Sequence, residues 1–134
     1  MNIEKKYHFY AAHRNKNADE KCGRIHGHTY EVVCYFQVDK INDESGITIL
    51  FSDLDKIAEP IIKQYDHQFL LYEKDDLVMI LEFSNEPFVK LPFETSAENM
   101  SIWIFNEIKN AGLPIVKIEL AETKSSKVIY ENYG

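Results

Sequence analysis

Three observations predict an α+β fold. Two long stretches near the N-terminus, Ile3 to His13 and His26 to Val38, alternate apolar and polar residues with period two, as half-buried strands do. Two later segments carry apolar residues at helical spacing behind capping residues. A final pair of strands, opened by Val116, Ile118 and Leu120, closes the sequence. At 134 residues it fits one domain, 1–134, large enough to bury about two-thirds of the surface of its unfolded form.

The first strand places Ile3, Lys5, Tyr7, Phe9, Ala11 and His13 on its mostly apolar face. The second places His26, His28, Tyr30, Val32, Cys34, Phe36 and Val38 together. Joined by a loop of about a dozen residues, the two can pair antiparallel and bring His13 beside His26 and His28. The i, i+2 spacing of His26 and His28 points both imidazoles to one side. Each histidine alone reads as an ordinary half-buried residue, but the trio reads as a metal site. Imidazole is the commonest zinc donor, and three protein ligands leave the open fourth position of a catalytic zinc. Cys22 has two readings: a fourth ligand that closes the site, or a free nucleophile or base beside the metal.

Further along, a polar turn over 39–46 precedes Ile47 to Phe51, an apolar extension of the sheet. Ser52 or Asp53 can cap a helix carrying Leu54, Ile57, Ala58, Ile61, Ile62 and Tyr65, kinked by Pro60. Asp66-His67 follows, either a capping pair or a carboxylate that orients a proton-shuttling histidine. Asp75-Asp76 can start a short helix to Leu81, and Phe88 to Leu91 reads as a brief edge strand flanked by prolines. Thr95-Ser96-Ala97-Glu98 has capping-box form with Thr95 as N-cap. The helix it opens carries Met100, Trp103, Ile104 and Ile108, widened by Ile102 and Phe105, and ends at Gly112-Leu113-Pro114. So broad an apolar face suits burial against another subunit. Glu122 continues the apolar face of the strand before it. It is either part of a hairpin turn or a carboxylate awaiting a ligand with amidine-like donors.

The formal net charge of −7 argues against nucleic acid or an anionic membrane as partner. No stretch is long and apolar enough to span a bilayer, and the N-terminus lacks the apolar run of a signal peptide. Two cysteines make no disulfide framework, so the expectation is a reducing cytoplasm. Arg14, Lys16, Lys21 and Arg24 nevertheless cluster in the loop beside the histidines, where a small phosphorylated substrate could meet them.

These residues carry a resemblance. Ala11-Ala12-His13, Lys21-Cys22-Gly23-Arg24-Ile25-His26-Gly27-His28, Asp66-His67, Ser96-Ala97-Glu98-Asn99 with Trp103 behind it, and Glu122-Thr123 before Tyr130 stand in the order found in one superfamily. The sequence resembles the 6-pyruvoyltetrahydropterin and 6-carboxytetrahydropterin synthases over its full length. The three residues between Cys22 and His26 look like the bacterial 6-carboxy branch of queuosine precursor synthesis. Two features depart from the pattern: Thr95-Ser96 stands where the family has Pro-Thr, and the segment from Leu71 to Phe93 is longer than in compact members.

The resemblance implies a tunnelling fold, a four-stranded antiparallel sheet with two helices packed on one face. It also implies a homo-oligomer, typically a hexamer of two trimers, with active sites between subunits. His13, His26 and His28 would hold Zn2+, Cys22 would be the catalytic base, and Asp66 and His67 would complete a proton relay. Glu122 would anchor the pterin ring, and Ser96 would make the contact the family's threonine makes. The implied reaction is a zinc-dependent lyase step on 7,8-dihydroneopterin triphosphate, giving 6-carboxy-5,6,7,8-tetrahydropterin with loss of triphosphate and acetaldehyde. Arg14, Lys21 and Arg24 are candidates to meet the triphosphate. The alternatives are a 6-pyruvoyltetrahydropterin synthase that stops after triphosphate loss, a non-catalytic protein that binds zinc and a pterin or purine, and a simple zinc hydrolase.

Overall fold

Alternation in the first two strands dictates the centre of the molecule. In a computed structural model describing residues 1–134, β1 (Asn2–His13) and β2 (His26–Gln37) pair antiparallel along their whole length, from Asn2 opposite Gln37 to His13 opposite His26. Their inward residues include Phe9, Tyr30, Val32, Cys34 and Phe36, all fully buried. The Phe9 and Tyr30 rings stack at 4.6 Å. Each large apolar residue buried in this way contributes about 1.5–3 kcal/mol. β5 (Ile115–Ala121) adds antiparallel to β2, and β6 (Lys127–Glu131) to β5.

This antiparallel core has the four strands that the resemblance implies, but the sheet has six. β3 (Gln68–Tyr72) runs parallel to the end of β1, and β4 (Val89–Leu91) runs parallel to β3, giving the order β4-β3-β1-β2-β5-β6. Leu70 and Leu71 in β3 are both fully buried, so the strand is covered on two faces and shows no alternation. β4 lies at the edge, where its flanking prolines are tolerated.

Three helices rather than two pack on the curled sheet: α1 (Phe51–Lys63), α2 (Leu77–Phe83) and α3 (Ala97–Asn110). Leu54, Ala58 and Ile62 of α1 join Met100, Ile104, Phe105 and Ile108 of α3 in one core with the inward faces of β1, β2 and β5. Phe105 is fully buried within this chain, whereas Ile102 and Trp103 keep 39% and 36% of their surface exposed.

The expected sheet extension over Ile47 to Phe51 does not form. Asn42 folds the preceding turn on itself by accepting from Glu44 N and Ser45 N, and Phe51 opens α1. The N-cap position of α1 is Leu50, which makes no capping bond, while Ser52 and Asp53 fall inside the first turn. Pro60 lies within α1 on its exposed side, where water can satisfy the carbonyl that loses a partner. The cap of α3 is also shifted: Ser96, not Thr95, is the N-cap, and its hydroxyl oxygen accepts from Asn99 N at 3.2 Å. Past α3, Gly112 takes φ +96°, the left-handed conformation that ends a helix.

Candidate active site

Strand register builds the centre of the site. Because His13 stands opposite His26 and Ala11 opposite His28, the three imidazoles converge, with ring centroids 4.6, 4.8 and 5.2 Å apart. One ring nitrogen from each lies within 4.8 Å of the others. The remaining nitrogens fix the tautomers of two rings. His13 Nδ1 lies 2.7 Å from the Thr95 carbonyl oxygen, and His26 Nδ1 lies 2.7 Å from that of Arg24. A carbonyl can only accept, so each Nδ1 carries the proton and each Nε2 lone pair is left for a ligand. Nε2 of His13 and of His28 is buried without an aligned hydrogen-bond partner. Burial pushes the pKa of His28 down, which favours the neutral, coordinating form. Three ring nitrogens on buried or half-buried histidines, aimed at one point, fit a divalent cation of the zinc type.

Glu122 follows the last residue of β5 and reaches into the same cluster. Its Oε2 lies 2.9 Å from His28 Nε2 and 3.3 Å from His13 Nε2. The His13 imidazole beside it, ahead of His28, holds its carboxyl below the usual range, against the opposing effect of burial. It is therefore both a residue of the β5–β6 turn and an inward-facing carboxylate.

Cys22, Ser96 and Glu122 line one cleft of about 520 Å³ with the three histidines. The thiol is exposed and lies outside the group of candidate metal ligands. Without a metal, the Asp19 carboxylate pushes the Cys22 thiol pKa up. Ser96 accepts from Asn99 N, so its own O–H remains free to donate toward the cleft.

Asp66 and His67 do not join this group. They lie between α1 and β3, where His67 lines a second hollow that shares only His28 with the first. The pair is tightly held: Asp66 Oδ1 accepts from Tyr10 N at 2.8 Å, Oδ2 stands 2.8 Å from His67 Nδ1, and His67 N donates to Tyr10 O at 2.6 Å. Bonding to Tyr10 N, and then to His67, keeps the Asp66 carboxyl below the usual range. His67 takes φ +58°, and its imidazole is 79% exposed.

Two of the cations suggested for the triphosphate are already engaged. Arg14 forks onto the buried Asp75, and Arg24 meets Glu20 at 3.0 Å. Lys16 pairs with Asp76 at 2.7 Å. Sequence reasoning missed the carbonyls of Thr95 and Arg24 as orienters of His13 and His26, because a backbone acceptor leaves no residue signature. Asp19 was also missed, although its place three residues before Cys22 is a turn-capping position.

Comparison with known proteins agrees with this geometry. Residues 2–133 match the family described as 6-pyruvoyl tetrahydropterin synthase. The chain is 32% identical to the 6-carboxy-5,6,7,8-tetrahydropterin synthase of Haemophilus influenzae, over 96% of its own length and 97% of the relative's. It is 29% identical to the enzyme of the same name from Synechocystis, over 96% and 91%. In fold it is similar to Caenorhabditis elegans 6-pyruvoyl tetrahydropterin synthase, with TM-score 0.72 and 22% identity, covering 98% of its own length and 95% of the other's. It is similar also to an uncharacterized protein from Wolinella succinogenes, with TM-score 0.80 and 19% identity, covering 98% of each. Matched over nearly its whole length, the protein belongs to the 6-pyruvoyl tetrahydropterin synthase family.

Proposed function

We propose that the protein is a zinc-dependent lyase that converts 7,8-dihydroneopterin triphosphate to 6-carboxy-5,6,7,8-tetrahydropterin, releasing triphosphate and acetaldehyde, a step of queuosine precursor synthesis. The observation that carries this reading is the convergence of three free imidazole nitrogens with a non-ligating thiol and a carboxylate on one cleft. The relatives named for the 6-carboxy product favour it over the pyruvoyl product.

Zinc held by His13, His26 and His28 would supply a Lewis acid that makes the C–H and O–H protons on the substrate's hydroxylated arm easier to remove. Cys22 takes such a proton as the base. Glu122 accepts from the 2-amino and ring N–H groups of the pterin, a bidentate pair that fixes the ring's orientation. Ser96 adds one donor from the start of α3. Asp66 orients His67 for the next proton transfer. Since this pair lies apart from Cys22 within one protomer, the relay is completed by Asp66 and His67 of a second copy, in a homo-oligomer such as a hexamer of two trimers. Of the loop cations, Lys21 remains available for the triphosphate. Cys22, exposed and unpaired, suits a reducing cytoplasm.

The test is mass spectrometry of the product from purified, zinc-loaded protein and dihydroneopterin triphosphate. The 6-carboxy product and acetaldehyde are expected, with loss of both on chelation. A 6-pyruvoyl product without acetaldehyde would move the assignment to the other branch. No pterin product at all would overturn it.

A further inference from the structure

The loop between β1 and β2 is a hydrogen-bonded unit built on Asp19 and Cys22. Asp19 Oδ1 accepts from Cys22 N at 2.7 Å, and the Asp19 carbonyl accepts from Gly23 N at 3.0 Å. From the other side, Cys22 O accepts from Asn15 N at 2.7 Å. A Cβ added at Gly23 would lie 3.2 Å from the Asp19 carbonyl oxygen, so the approach is close as well as bonded. Asp19 therefore grips Cys22 through its carboxylate and the following residue, Gly23, through its carbonyl.

We propose that Asp19 is a positioning residue for Cys22: it clamps the cysteine's backbone N–H and sets a carboxylate on the thiol's side of the loop, so that the sulfur stays apart from the three histidines. The inference rests on reading Cys22 as the base, and adds the residue that controls it. Three observations support it. The sulfur stands outside the histidine group although it shares the cleft. Asp19 is the first cause of the thiol's raised pKa, ahead of burial and Glu122. Bonding to Cys22 N is in turn the first cause that keeps the Asp19 carboxyl ionised. The other charged groups facing the thiol are few. Lys21 stands on the same loop, Glu122 on the β5–β6 turn, Glu98 at the start of α3, Lys127 at the start of β6, and the three histidines on β1 and β2.

The experiment is alkylation of Cys22 by iodoacetamide in the chelator-treated protein, residues 1–134, followed by mass spectrometry across a pH series. Cys34, fully buried, serves as the internal control. Asp19→Asn keeps an acceptor for Cys22 N–H while removing the charge. Its alkylation rate at pH 7 should rise by about threefold or more, with the midpoint of the rate profile moving to lower pH, because a larger thiolate fraction outweighs its reduced nucleophilicity. Asp19→Ser, a neutral cap, should do the same should the first variant fail to fold. A rate and midpoint equal to wild type would overturn the proposal and leave Asp19 a turn cap. Labelling needs no pterin, so this failure is distinct from failure of the product assay.

Discussion

Glu122 is half-buried, and one of its oxygens lies at ion-pair distance from two imidazoles, so its charge contributes more than a surface carboxylate would. Replacing it by Gln would leave the shape of the turn but set an amide N–H2 against the donors of the pterin proposed to bind there. The expected result is a fall in kcat/KM of about 100-fold, close to the loss of about 3 kcal/mol for a charge-assisted hydrogen bond in a desolvated site. Zinc per protomer, measured by atomic absorption, should not change. A parallel loss of zinc would instead make Glu122 part of the metal site. At this scale the histidine trio was legible, because period-two spacing and a pairable loop constrain where three imidazoles go. The environment of each ring was not. Thr95 acts through its carbonyl on His13, a contact set by how the start of α3 docks on β1 rather than by the identity of residue 95.

Segments are held in place by contacts that sequence periodicity does not report. Arg14, one residue past β1, forks onto Asp75, which also accepts from Leu77 N at 2.9 Å at the start of α2. The Asp75 carboxylate is buried, its side chain only 4% exposed, so this pair ties the segment after β3 to the loop that carries Cys22. Removing one partner of a buried ion pair strands the other. Asp75→Asn should therefore lower stability by about 3 kcal/mol in chemical denaturation. The Arg14 guanidinium holds the Asp75 carboxyl below its usual range. The pair's contribution is thus present above the unfolded aspartate value of about 3.9 and is lost as pH falls through the lower folded value. In Asp75→Asn that part of the acid destabilisation should vanish. β3 was hidden in the sequence for a related reason: Phe69-Leu70-Leu71 has no polar alternation because the adjacent Leu70 and Leu71, which point to opposite faces, are both fully buried. The cap of α3 was misplaced by one residue because Thr95 and Ser96 are chemically equivalent as caps, and only the buried position of Thr95 decides between them.

At the scale of the whole molecule, the two groups of residues proposed to act in one reaction lie in different places. Cys22 and the histidines open on one cleft, whereas His67, in a left-handed backbone conformation and clamped with Asp66 to Tyr10, faces outward. Backbone strain of about 1–3 kcal/mol is retained where a residue must be aimed, and here it is aimed at solvent. The sequence shows both motifs but not their separation, since strand order depends on β3 joining β1 on the side away from β2. If a second copy brings its Asp66 and His67 to the Cys22 cleft, the two functions can be supplied by different protomers. Cys22→Ala and His67→Ala should each be inactive as homo-oligomers. Co-refolded in equal amounts, they should recover about a quarter of wild-type activity, because one site in four would draw an intact thiol from one protomer and an intact imidazole from its neighbour. The measurement is the product assay on the mixture, with subunit exchange verified by native mass spectrometry. Activity that stays at the level of the parents despite complete exchange would mean that the relay closes within a single protomer.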